Sequence, residues 1–243
     1  MARAAADQLR PPWVRWLDAQ PGRTVADCAS DVRAICAALG IGRLAMWGLS
    51  GGGPHVLACA ALLPDLVTAA AALGSYAPFE AEGLDWFAGM GQAVIAAYRQ
   101  VFTDPAAART AMEERRAESL ATRANELAQL FAAFLAPADA AVLTEELAGF
   151  ITDTNHAALA PGSQGSWDDI YAVVHPWGFE LTDISIPVLL LHGSQDKFIP
   201  FAHGQWLATH IPGVAARLLA DDGHLTLQEH RISDVHCWLR QHL

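Results

Sequence analysis

The sequence predicts an α/β fold, a mostly parallel sheet flanked by helices with a helical segment inserted into it. Three observations carry this. Residues 43–47, 66–73 and 187–192 are short, nearly continuous apolar runs bounded by glycine or proline, the pattern of strands buried on both faces. The runs 43–47 and 187–192 are each followed by a turn and then a helical pattern, at 51–62 and 200–210. Between 75 and 183 the texture changes to long Ala-, Glu- and Arg-rich stretches with helical periodicity and almost no strand signal.

In chain order, the first element is a helix over 24–39, because Val25, Ala29, Val32, Cys36 and Leu39 recur at helical spacing. Thr24 reads as its N-cap, with Asp27 three residues on, and Gly40 as its C-cap. The strand 43–47 feeds Ser50, and the helix 51–62 is stopped by Pro64. The run 66–73 is a strand ended by Gly74. Within the insertion, 113–134 and 139–150 read as helical, Asp104-Pro105 and Pro137-Ala138-Asp139 mark helix starts, and 161–166 reads as a loop. The strand 187–192 is followed by the helix 200–210, a last short strand at 214–219 and a closing helix at 225–243, with Leu227, Ile232, Val235 and Leu239 on its apolar side. The chain thus divides into an irregular N-terminal segment (1–20), a core (21–75 and 184–243) and a helical cap (76–183).

A chain of 243 residues, 53% hydrophobic and 17% charged, can bury a sizeable core. A net charge of −11, with only 15 Lys and Arg and no basic run, argues against nucleic acid or an anionic membrane as partner. No apolar run reaches the roughly 18 residues of a membrane span, and the N-terminus lacks the apolar core of a secretory signal. Cys28, Cys36, Cys59 and Cys237 have no metal-ligand spacing and read as small buried thiols in a reducing cytoplasm. No metal or organic cofactor is implied.

The stretch Gly48-Leu49-Ser50-Gly51-Gly52 joins a strand to a helix through a tight turn, which lifts the serine hydroxyl above the sheet. Gly48 and Gly52 are small because the helix start passes close to the strand. The Gly51 N–H points at a substrate carbonyl, near a helix N-terminus that favours negative charge. A serine hydroxyl is a poor nucleophile until a base takes its proton, and the base needs an acid to orient it. Asp196 follows the strand 187–192 through Gly193-Ser194-Gln195, at the carboxyl end where open α/β sheets bind ligands. His224 follows the last strand in Asp221-Asp222-Gly223-His224. Asp221 and Asp222 read as turn residues, with a substitute acid as the alternative. The remaining histidines read as surface or helix-end residues, and Glu113-Glu114-Arg115-Arg116 as a solvated helix face.

Taken together, Gly48-Leu49-Ser50-Gly51-Gly52, the run 188–192 with Gly193, Asp196 and Ile199-Pro200, and Gly223-His224 resemble the α/β-hydrolase superfamily over 21–243. The pattern is closest to bacterial serine esterase-like members with a helical cap. The resemblance implies Ser50 as nucleophile, His224 as general base, Asp196 as its orienting acid, the Gly51 N–H as an oxyanion donor, and the insertion as a cap over the pocket. The sequence departs from the family at its start. Only 49 residues precede Ser50, where the family normally has about four strands and a His-Gly-type oxyanion loop. The fold is therefore expected to be N-terminally truncated, with a shortened gene start as the cause and no visible source for a second oxyanion donor. The strand 43–47 would lack its usual neighbour, and a bare edge invites pairing with another chain. A homo-oligomer is expected, through that edge or the apolar segment around Trp13 and Trp16.

The expected function is a cytoplasmic serine hydrolase cleaving small, mostly apolar carboxylic esters through an acyl-enzyme. Lactones, thioesters, carbon–carbon bonds and peracid formation stay open, because the same triad serves them. A reading from another class is a ligand-binding relic, impaired by an incomplete oxyanion hole. Leu49 flanks the nucleophile and is a substrate contact if the fold holds. Trp86, Met90 and Trp177, with Phe87, Trp167 and Phe179, are candidates to line an acyl pocket, with packing between cap and core as the alternative.

Overall fold

The computed structural model describes residues 20, 22–131 and 135–243. The expected irregular segment, with Trp13 and Trp16, lies outside them except for Gln20. Four strands, β1 (Leu44–Leu49), β2 (Val67–Leu73), β3 (Val188–Gly193) and β4 (Ala215–Leu219), form one parallel sheet in the order β1-β2-β3-β4. Among the described residues β1 pairs only with β2.

Side chains of the two central strands alternate between faces, as the two-residue period of a strand requires. Ala70, Ala72, Val188 and Leu190 point to one face, where α2 (Gly52–Leu62) covers them with Val56, Leu57 and Ala60, and α9 (Phe201–His210) with Leu207. Ala69, Ala71, Leu73, Leu189 and Leu191 point to the other, against Leu227, Val235 and Leu239 of the closing helix, α10 (Leu225–Arg240). Alanine is depleted in strands, yet Ala69 to Ala72 are fully buried in β2. Burial on both faces outweighs local propensity there. The first helix, α1 (Asp27–Leu39), packs Ala29 and Cys36 against Cys59, Leu63 and Val67.

Between β2 and β3 every regular element among the described residues is helical: α3 (Gln92–Thr103), α4 (Pro105–Ala121), a 3₁₀ turn, α5 (Leu127–Leu130), α6 (Pro137–Val142), α7 (Glu145–Leu159), α8 (Gln164–Val173) and a second 3₁₀ turn. Trp86, Met90, Val101, Met112, Trp167 and Val173 form a separate apolar cluster inside this insertion. Asp104 caps α4 by accepting the Ala107 N–H at 3.0 Å, with Pro105 in the first turn.

Several local expectations need correction. The first helix starts at Asp27, not Thr24, because the Asp27 carboxylate takes the Thr24 N–H (2.7 Å) and hydroxyl (2.9 Å) instead of being capped by them. Gly40 does end it, at φ 68°. The expected helix over 113–134 breaks after Ala121. Thr122 donates its hydroxyl to Glu118 O (2.9 Å), and Glu126 accepts the Arg123 N–H (2.9 Å), local bonds that compete with helical ones. The loop read at 161–166 is shorter, because α8 begins at Gln164, and the closing helix stops at Arg240.

Two features of this frame generate predictions. Gly48 lies under the start of α2, where a Cβ would stand 2.4 Å from Gly52 O. Gly48→Ala is expected to cost about 1–3 kcal/mol by overpacking. Gly42→Ala, with nothing within 4 Å, should stay within about 0.5 kcal/mol of the parent; urea midpoints compare them. His203, fully buried on α9, accepts the Ala77 N–H at Nδ1 (3.1 Å) and donates Nε2–H to Trp86 O (3.0 Å), pinning the start of the insertion. Burial outweighs the help of Trp86 O and pushes its pKa from 6.5 down to about 4. Below pH 6.5 the unfolded chain takes this proton more readily than the folded one. Stability is therefore complete above 6.5 and falls toward pH 4, by up to about 3 kcal/mol from this group. His203→Asn should lose that part of the pH dependence in urea titrations between pH 7 and 4.

Candidate active site

β1 and β2 end together, with Leu49 opposite Leu73. The Ser50 N–H extends the ladder by one bond, to Leu73 O at 2.8 Å. The chain then turns sharply: Ser50 has φ 58°, the only positive φ of a non-glycine among the described residues. That conformation costs about 1–2 kcal/mol for an L-residue. It turns the chain at once into α2, whose N-cap is Gly51. Gly53 packs against Ser75, where a Cβ would come within 2.2 Å of its Oγ.

Asp196 sits in the turn after β3. Its Oδ1 accepts the N–H groups of Phe198 (2.9 Å) and Ile199 (2.8 Å), and its Oδ2 takes Nδ1–H of His224 at 2.6 Å. A carboxylate partner at Nδ1 places the proton there and leaves Nε2 as an acceptor. Both side chains are buried, and the His224 ring lies on Phe198 with centroids 4.9 Å apart. Gly74, the residue after Leu73, lies beside this pair at φ 48°; a Cβ on it would stand 3.0 Å from His224 Nδ1 and 3.1 Å from Asp196 Oδ2. Ser50, Asp196 and His224 therefore gather around the carboxyl end of β2. Among the described residues no hydrogen bond joins the Ser50 hydroxyl to His224.

His192 lies beneath the acid, fully buried, with Nε2–H donated to Ile199 O at 3.0 Å and Nδ1 unpartnered. Desolvation lowers its pKa against the pull of Asp196, so it supports the turn as a neutral ring. Asp222 is a buried structural residue. It pairs with Arg231 at 2.8 Å, and its carbonyl accepts the Gln195 N–H at 2.9 Å, tying together the turns that carry Asp196 and His224.

The expected pocket residues separate. Leu49 packs beside the cluster under α10. Trp86 and Met90 lie in the insertion's cluster; Trp86 donates Nε1–H to Ala77 O at 2.9 Å and stacks on Tyr76. Trp177 belongs to the core cluster over α2 and lines a cavity of about 650 Å³ with Phe79, Phe179 and Trp206, a cavity that neither Ser50, Asp196 nor His224 lines. Among the described residues no three His, Cys, Asp or Glu side chains gather as a metal site requires, and no helix is long and apolar enough to cross a membrane.

Sequence reasoning missed Asp139. On α6, and fully buried, it accepts the N–H groups of His224 (2.9 Å), Leu225 (2.8 Å) and Thr226 (3.2 Å). Its only local signal was a helix start after Pro137, which says nothing about a partner 85 residues away. Hydrogen bonds to a charged group are worth about 1.5–3 kcal/mol each.

Comparison with known proteins follows the same lines. A sequence model of the α/β hydrolase fold matches residues 10–230. A pimeloyl-[acyl-carrier protein] methyl ester esterase from Aromatoleum aromaticum is 31% identical over 86 residues, which cover 33% of this chain and 34% of that protein. The match thus spans about a third of that relative's length. An esterase from Thermogutta terrifontis superposes with a TM-score of 0.64 at 21% identity, over 91% of this chain and 74% of its own. A bromoperoxidase from Bacillus anthracis superposes with a TM-score of 0.62 at 21% identity, over 91% of this chain and 75% of its own. These likenesses in structure speak for the fold. With the family match spanning most of its length, the chain belongs to the α/β-hydrolase fold family, and esterases stand among its named relatives.

Proposed function

We propose that the chain is a serine hydrolase of small, mostly apolar carboxylic esters, with Ser50, His224 and Asp196 as its triad. The observation that carries this is the 2.6 Å bond from His224 Nδ1 to Asp196 Oδ2, held beside the turn on which Ser50 sits at φ 58°. Ser50 Oγ attacks the ester carbonyl as His224 Nε2 takes its proton, with Asp196 stabilising the imidazolium. The tetrahedral oxyanion meets the Gly51 N–H at the start of α2. Collapse breaks the ester bond, and His224 returns the proton to the departing alcohol. Water, activated by the same imidazole, then cleaves the acyl-serine and restores Ser50.

Leu49, Trp86 and Met90 are the proposed contacts for the apolar part of the substrate, under a cap formed by 76–183. Trp177 would be reached only by a substrate extending into its separate cavity. The named activity of the Aromatoleum relative, a methyl ester esterase, agrees in bond type. A reducing cytoplasm suits four cysteines that are all free thiols. The side of β1 that no described strand pairs with, on a strand whose Trp47 is exposed, is the proposed seam of a homodimer.

Hydrolysis of p-nitrophenyl esters from C2 to C12 tests the reading. Ser50→Ala and His224→Ala are each expected to lower kcat by about 10³-fold or more. Folded protein without turnover would instead favour a binding relic with an incomplete oxyanion hole. Light scattering at low micromolar concentration should give the mass of a dimer; a clean monomer rejects the β1 seam.

A further inference from the structure

The first N–H groups of a helix have no partner within it, and a side chain at the N-cap normally accepts them. In α10 the N-cap is His224, whose ring is committed to Asp196, and no local side chain caps the helix. The acceptor arrives from the insertion. Asp139 Oδ2 takes the His224 N–H, while Oδ1 takes those of Leu225 and Thr226. The fit is close: a Cβ on Gly223 would come within 2.4 Å of both Asp139 carboxylate oxygens. A second contact runs from the same stretch of chain. The Phe131 ring meets Phe198 edge-on at 5.6 Å, and Phe198 carries the His224 ring at 4.9 Å. The insertion thus holds the backbone of His224 directly, through Asp139, and reaches its imidazole through Phe198 of the core, against which Phe131 packs.

We propose that Asp139 is a positioning residue that makes the placement of His224 depend on the insertion. With α6 seated, the carboxylate fixes the backbone of His224 so that the ring keeps its Asp196 bond and presents Nε2 toward Ser50. With α6 lifted, three N–H groups lose their acceptor, the first turn of α10 loosens and the imidazole loses its register. The insertion then does more than roof the pocket: its docking assembles the base. This rests on the assignment of Ser50, His224 and Asp196 made above.

The test uses the whole chain. The proton shared by His224 Nδ1 and Asp196 should give a far-downfield resonance, assigned by its loss in His224→Ala. Asp139→Ala is expected to broaden or remove that resonance while the circular dichroism of the folded protein persists. It should lower kcat on p-nitrophenyl acetate by about 10²-fold, with KM within about twofold. Asp139→Asn keeps one acceptor oxygen and should recover part of both readouts. A resonance and kcat unchanged in Asp139→Ala overturn the proposal; if that variant does not fold, the same readouts on Asp139→Asn decide. If the parent protein itself lacks turnover, the hydrolase reading fails, and the resonance alone still decides the role of Asp139.

Discussion

One repeated hydrogen bond places the chemistry. The residue just past a strand donates its N–H to the last residue or so of the next strand along the sheet. Ser50 donates to Leu73 O (2.8 Å), Gly74 to Leu191 O (2.9 Å) and Ser194 to Leu219 O (2.8 Å). The turns after β1, β2 and β3 therefore stand in a row along one edge. Ser50, the closely packed Gly74 and the turn that carries Asp196 are neighbours because the ladders end in step. A slip of one residue in any ladder would turn its side chains to the opposite face and break the row.

The charges in this row are affordable because backbone amides meet them. Burying an ion without partners costs several kcal/mol. Asp196 accepts two N–H groups and His224 Nδ1–H, and Asp139 accepts three N–H groups. The neighbouring rings of His192 and His203 stay neutral because desolvation outweighs the attraction of Asp196 in the first and the bond to Trp86 O in the second. The Asp196 carboxyl thus faces His224, with two uncharged imidazoles packed nearby.

Much of this was legible in the chain because it is written locally. Continuous apolar runs gave β2 and β3, and the glycines of 48–52 can be read as a close strand-to-helix approach because the geometry lies within five residues. That Asp196 and His224 lie on the same edge of the sheet was readable because each sits in the turn that follows a strand. The relation of Asp139 to His224, and of His203 to Ala77, spans 85 and 126 residues. No periodicity encodes such pairs; they exist only once the sheet has brought the segments together. Trp177 depends on the fold in the same way: its burial over α2 and its place in the wall of the cavity with Phe179 and Trp206 come from tertiary packing, which no local pattern in the sequence encodes.

The loan of Asp139 to α10 has a consequence for how such proteins diversify. The insertion cannot be exchanged as a free module. A chimera that replaces the stretch between β2 and β3 with a segment of equal length and good helical propensity removes Asp139, the one side-chain acceptor for the first turn of α10 among the described residues. Recombination would succeed only at breakpoints that carry α6 with the core, or with a compensating Ser, Thr or Asp at position 223 and a backbone able to accept it. The boundary of inheritance in this chain therefore runs through the insertion rather than around it.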